Sequence, residues 1–190
     1  MKKAKKAEMG IGTLIIFIAL ILVAAVAAGV LIQTSSSLQS KALLTGEKSK
    51  DQVSTAVQAV SMSAEDGSDG NVTDFFVTVK TAPGSDPVPM ADSLVGFDTT
   101  SSSDTYTYNN TATCSNVGGN DFAAEYLLGT KDGYIDSGDV IQICFGSGGV
   151  VDEGEDIKMS LTPQSGNRMV VETVTPQVMA TKRVQIYPSN

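Results

Sequence analysis

Residues 9–32, MGIGTLIIFIALILVAAVAAGVLI, hold no charged side chain over 24 positions and stand directly behind the basic run KKAKKA. At a rise of about 1.5 Å per residue, a helix of this length reaches about 36 Å and clears a hydrocarbon core of roughly 30 Å. Lysines ahead of an apolar run stay on the cytoplasmic side and direct the chain behind it outward, so the polar remainder is expected outside the cytoplasm. A secretory signal has a shorter apolar core, about 7 to 15 residues, and a small-x-small cleavage site behind it. Here the run is longer and a helical pattern continues past it. Its first half is rich in Leu, Ile and Phe and its second half in small residues, Ala24, Ala25, Ala27, Ala28 and Gly29. Small residues let helix backbones approach closely, so this segment is suited to touching other helices.

Beyond Ile32, apolar residues recur at helical spacing at Leu38, Ala42, Val53, Val57 and Val60. That spacing predicts one helix over residues 8–63, in which Gly46 costs about 1 kcal/mol and marks a weak point. At 64–71 the stretch AEDGSDGN is made of turn and breaker residues and reads as a linker. From residue 72 to 190, short β-type runs alternate with Gly, Asp, Asn, Ser and Pro clusters. The expected strands are 75–80, 88–97, 104–113, 122–128, 139–145, 156–162, 168–175 and 183–187. Phe75, Val77 and Val79 share one face of the first, and Ile157, Met159 and Leu161 share one face of 156–162. Seven or eight short strands with frequent turns predict an immunoglobulin-like antiparallel β-sandwich. The fold class is α+β, a long N-terminal hydrophobic helix followed by that sandwich.

Composition narrows the function. Acidic residues outnumber basic ones 21 to 13, and Lys2, Lys3, Lys5 and Lys6 all lie in the first seven residues. The remaining surface is acidic enough to repel nucleic acid, so no nucleic-acid partner is expected. There is no His in the chain, which removes the usual general base near neutral pH and the commonest metal ligand. No GxSxG elbow and no GxxxxGK[ST] phosphate loop occurs, and no enzymatic activity is expected. Cys114 and Cys144 both lie in the outward domain. In an oxidising compartment a single pair most simply closes one disulfide; the other reading is two buried free thiols. Asn71-Val72-Thr73 and Asn109-Asn110-Thr111 are N-glycosylation sequons, whose plain alternative is an unmodified polar turn.

The stretch 5–46, KKAEMGIGTLIIFIALILVAAVAAGVLIQTSSSLQSKALLTG, resembles the N-terminus of archaeal flagellins (archaellins), closely over residues 5–62 and by pattern beyond. Precursors of that family carry a short basic leader ending in two basic residues and Gly or Ala. The resemblance places these at Lys5, Lys6 and Ala7, making residues 1–7 a leader cleaved on the cytoplasmic side by the archaellin-processing peptidase, and starting the mature chain at Glu8. Gly10 then matches the Gly favoured third in the mature chain. A type IV pilin would carry Glu fifth in the mature chain, where Gly12 stands here. The resemblance implies a structural subunit of the archaellum filament on the archaeal cell surface, a membrane-inserted precursor, a membrane assembly platform, and a polymer of this chain with related archaellins. It serves swimming and, in some members, adhesion. The alternatives are an archaeal adhesion pilin and a membrane-tethered surface domain that never polymerises.

No cofactor is required by this reading. The turn 130–139, TKDGYIDSGD, clusters carboxylates around Gly as calcium loops do. A full EF-hand fails, because Leu128 and Thr130 stand where its first two acidic ligands belong. Some archaellins carry a cation site in such a loop, which makes Asp132, Asp136 and Asp139 candidate Ca²⁺ ligands, with Asn120 and Asp121 as donors from elsewhere. The alternative is a plain acidic hairpin turn.

Overall fold

An unbroken run without proline and without a charge from Met9 to Ile32 gives no reason for a helix to stop, and in the computed structural model a single α-helix, α1, covers Lys2–Ser54. The structure describes residues 2–65 and 70–188, with side chains from residue 10 onward. Gly46 interrupts neither the helix nor its register. The chain divides into two units, residues 1–47 and 48–190.

The helix ends earlier than its periodicity predicts, and the correction is physical. Residues 57–65 are not helix but the first strand, β1 (Val57–Glu65). Val57, Met62 and Ala64 are buried on its inner side. Val53, Val57 and Val60 fit a helical face as well as a strand, and tertiary partners decide. The Thr55 carbonyl accepts from Asn167 N at 2.9 Å, and the Ala56 carbonyl accepts from Ala82 N at 2.8 Å. Ala56 N donates to Ser85 Oγ at 3.0 Å. The groups that would continue the helix are thus taken by the β domain. Gly166 makes this joint possible. With φ +109 it sits so near Thr55 that a Cβ there would lie 2.6 Å from the Thr55 carbonyl oxygen. The predicted linker 64–71 is likewise not a helix-to-sandwich spacer. It joins β1 to β2 (Asn71–Thr81), its antiparallel neighbour, and residues 66–69 lie outside the described residues.

The remaining strands are β3 (Val88–Pro89), β4 (Leu94–Thr99), β5 (Ser103–Tyr108), β6 (Asp121–Leu128), β7 (Tyr134–Ile135), β8 (Val140–Asp152), β9 (Asp156–Thr162), β10 (Met169–Val174) and β11 (Arg183–Tyr187). Nine form one hydrogen-bonded sheet in the order β10-β9-β4-β5-β6-β8-β2-β1-β11, and β3 and β7 make a separate ribbon. All the strand pairs are antiparallel except β5–β6, whose two residue pairs, Thr107 with Asp121 and Tyr108 with Phe122, are parallel. That pair is the seam at which the sheet folds over. The sandwich is therefore one mostly antiparallel sheet bent into two layers, where an immunoglobulin domain has two separate sheets.

Alternation fills the space between the layers. Phe75 of β2 and Phe145 of β8 face Phe97 of β4, with ring centroids 4.6 and 5.3 Å from Phe97. Tyr106 of β5 packs 5.2 Å from Phe145. Val95, Met159, Leu161 and Ile143 complete a dry core.

Tyr106 is 1 % exposed, and burial, with the Asp104 carboxylate adding to it, pushes its hydroxyl up to about 12. An unfolded tyrosine ionises near 10, so the folded state favours the protonated phenol. The resulting stability is complete below pH ~10 and is lost as pH climbs through ~12, on the order of 2 to 3 kcal/mol. Denaturant titrations of the full-length chain between pH 9 and 12 are expected to show this decline, and Tyr106→Phe to make it shallower without removing it, because burial also pushes the Tyr126 hydroxyl up to about 12. An equally steep decline in the Phe variant would remove Tyr106 as its source.

Candidate functional site

The functional element of this molecule is a surface and not a cleft. From Leu14 to Ile32 helix α1 has no polar side chain on any side, and every residue from Gly10 to Lys50 is exposed in the isolated chain. Leu14, Phe17, Leu20 and Leu31 are each more than half exposed. A helix apolar all round belongs in a bilayer or in the centre of a bundle. This one is long and apolar enough to cross a membrane. Fourteen large apolar side chains between Ile11 and Ile32 remain uncovered. At ~1.5 kcal/mol or more each, burying them is worth on the order of 20 kcal/mol. No isolated water-soluble chain tolerates that exposure, so the helix demands partners.

Lys5, Lys6, Ala7 and Glu8 lie within the helical backbone, and their side chains fall outside the described residues. At Gly10 a Cβ would meet nothing within 4 Å, so packing within this chain does not explain the glycine.

In the outer domain, Cys114 and Cys144 form a disulfide with their Cα atoms 5.2 Å apart and a sequence separation of 30. Closing a loop of that size contributes about 3 to 4 kcal/mol in the chain-entropy account. The bond staples the 109–120 connection over the outer side of β8, where Cys144 is 1 % exposed.

The acidic turn is knitted internally. Asp132 Oδ1 accepts from Tyr134 N at 2.9 Å, and Asp139 Oδ2 accepts from Asp136 N at 3.1 Å. Gly129, at φ +116, lies against the Asp139 carboxylate where any Cβ would collide. Asp121 is engaged elsewhere, taking Asn109 Nδ2 at 2.8 Å and Thr107 Oγ1 at 3.3 Å. Among the described residues no three His, Cys, Asp or Glu side chains converge in a manner that would hold a metal. Asp132 and Asp139 thus each accept from a backbone amide within the turn. Nothing in the sequence marks Tyr126, yet it braces this turn by donating to the Tyr134 carbonyl at 2.8 Å.

The two sequons differ. Asn71 opens β2 beside Asp152. Asn109 is locked, since its Oδ1 accepts from Thr111 N at 3.0 Å and Thr111 Oγ1 at 2.8 Å while its Nδ2 is held by Asp121.

An all-round apolar N-terminal helix carrying a disulfide-closed sandwich, in a chain without histidine, defines a subunit that works by being assembled. The chain belongs to the archaeal-type flagellin family, whose pattern matches residues 7–173. It is 33% identical over 182 residues to flagellin B3 of Halobacterium salinarum, covering 94% of this chain and 93% of that one. To flagellin A1 of Haloferax volcanii it is 32% identical over 197 residues, covering 93% and 92%. In fold it is similar to the archaeal flagellum of Methanospirillum hungatei strain JF1, with TM-score 0.72, 14% identity and coverage of 93% of this chain and 98% of the other. The crystal structure of archaeal flagellin FlaB1 from Methanocaldococcus jannaschii matches at TM-score 0.62 and 12% identity, over 70% of this chain and 96% of that one. The chain is a structural subunit of the archaeal flagellum, an extracellular filament serving motility, and not an enzyme.

Proposed function

We propose that this archaellin is inserted in the membrane by helix α1, cut between Ala7 and Glu8 by the archaellin-processing peptidase, and handed by a membrane platform to the growing filament. There the same helix is buried among copies of itself and of related archaellins. The observation that carries this reading is the helix with no polar side from Leu14 to Ile32. In the bilayer, a helix satisfies its own backbone and its side chains meet lipid. In the filament, neighbouring helices replace lipid, and a repeating head-to-tail contact that does not close yields an open helical polymer. Cleavage on the cytoplasmic side of the apolar run removes four lysines and leaves the assembly helix on the product. The large burial energy then makes a subunit's return to water negligible.

The acidic turn acts in this reading as a structural hairpin, and no cofactor is needed. Asn71 and Asn109 are acceptors for glycan on the exported domain. Mass spectrometry of subunits from sheared filaments is expected to give a mature chain starting at Glu8. Filaments built from chains that still carry Met1 would sink the processing step. The pilin alternative loses its ground with the family match.

A further inference from the structure

Between the β3–β7 ribbon and the end of β5 lies an open hollow of about 460 Å³, a volume within the range of small-ligand sites. Tyr108 and Tyr134 are its aromatic lining, and Asp92, Asn110, Lys131 and Asp132 are its polar lining. The walls are held in place by bonds from several elements. Pro89 pairs with Tyr134 in the ribbon, Met90 N donates to the Gly133 carbonyl at 2.9 Å, and Tyr126 Oη donates to the Tyr134 carbonyl. The Tyr108 ring packs 5.6 Å from that of Phe122, and its hydroxyl donates to Asn110 Oδ1 at 3.3 Å. Tyr134 is 47% exposed, so much of an aromatic ring is left to solvent at this site.

The polar groups still have bonds to make. The ion pairs among the described residues are Lys158 with Glu172 and Arg183 with Glu65, so Asp92, Lys131 and Asp132 are not neutralised by partners. Asp132 commits Oδ1 to Tyr134 N, which leaves Oδ2. Asn110 accepts through its amide oxygen, which leaves the amide nitrogen to donate. The hollow therefore combines acceptors at Asp92 and Asp132 with donors at Asn110 and Lys131. A phosphate or carboxylate ligand would face two carboxylates, and a wholly apolar one would desolvate them without compensation. A ring of vicinal hydroxyls both donates and accepts, and its C–H face sets weakly positive hydrogens against the negative face of a tyrosine.

We infer that this hollow binds a pyranose sugar, stacked on Tyr134 and held through its hydroxyls by Asp92, Asp132 and Asn110. The sugar has two sources outside the cell: polysaccharide of a surface, or glycan carried by copies of this chain, whose Asn109 sequon adjoins Asn110 on the wall. The inference uses the outer domain alone and does not depend on how the helix assembles.

Saturation-transfer NMR on the full-length chain, extracted in a zwitterionic detergent with no sugar head group, tests this. The probes are methyl glucoside, methyl galactoside, methyl mannoside and N-acetylglucosamine, with arginine amide as the contrasting cation. At least one sugar is expected to bind with a Kd of roughly 1 to 10 mM, as suits a ligand of this size. Tyr134→Ala and Asp92→Ala are each expected to weaken it about tenfold, while Tyr134→Phe, which keeps the ring, stays within about threefold of the parent. No transfer to any of the four sugars, or undiminished transfer in Tyr134→Ala, overturns the inference. Binding of arginine amide in place of the sugars makes the hollow a cation seat and also overturns it. Chain from cells lacking N-glycan transfer separates the sources. Stronger sugar binding than in the parent chain identifies the chain's own glycan as the occupant, and equal binding identifies an external polysaccharide.

Discussion

Leu20→Glu is expected to abolish filaments while leaving a folded outer domain. Leu20 stands in the middle of the uncharged run and is 62% exposed in the isolated chain, so both of its environments are apolar. In the bilayer, a carboxylate near the centre of the span costs about 3 kcal/mol on insertion scales. In the filament, the same carboxylate repeats in every subunit with no cation opposite it. From Met9 to Ile32 the helix offers none. An unpaired buried charge costs several kcal/mol per copy, and the cost recurs along the whole polymer. Electron microscopy is expected to show no filaments, with disulfide-bonded chain retained in the membrane fraction. Leu20→Met, which keeps volume and polarity, is expected to assemble like the parent, at a cost below about 1.5 kcal/mol. Normal filaments from the Glu variant would mean that this helix does not face other apolar helices.

Phe75→Ala has the largest expected effect on the domain itself. Phe75 is fully buried and its ring lies 4.6 Å from Phe97 and 5.7 Å from Phe145, so it joins the two layers. Truncating a buried phenylalanine costs about 3 to 5 kcal/mol, including the cavity that remains. A domain of this size has a stability of about 5 to 15 kcal/mol, so the loss is a large share of the whole. The neighbouring residue provides the contrast. Phe76 points to the other side of β2, where Arg183 lies 4.9 Å over its ring. Phe76→Ala is expected to cost about 1 kcal/mol. Denaturant midpoints of the two variants, with the disulfide intact, should separate clearly. Equal losses would contradict the assigned strand faces.

The strands were legible where alternation was strict and turns were marked. β9 runs over 156–162 and β11 over 183–187, as the pattern predicts. The expected strand 88–97 is instead split, because Met90 and Ser93 close a turn through a hydrogen bond of 3.0 Å between their backbones. β1 was hidden because QVSTAVQAV satisfies two periods at once. Its pairing with β2 and β11, from distant parts of the chain, settles which one wins. No local signal in Thr55 or Ala56 announces Asn167, Ala82 and Ser85 as their partners. The acidic turn shows the opposite limit. Its acidic composition is plain in the sequence, while the direction of Asp132 and Asp139, which accept from the backbone amides of Tyr134 and Asp136, is not encoded by spacing. The sandwich's folded single sheet was also out of reach, since it depends on two residue pairs between β5 and β6. The apolar helix was the most legible feature, because its side chains from Gly10 to Lys50 are all exposed and the composition of the run alone decides its structure.

In the proposed assembly, helix α1 leaves the bilayer and becomes the buried core of the filament. Cryo-electron microscopy of native filaments tests it most directly. Rods of helical density are expected around the filament axis, traceable from Glu8 to Ser54, with the β domains outside. A filament whose axis is empty of these helices, or is built from β domains with α1 left outside, would contradict it.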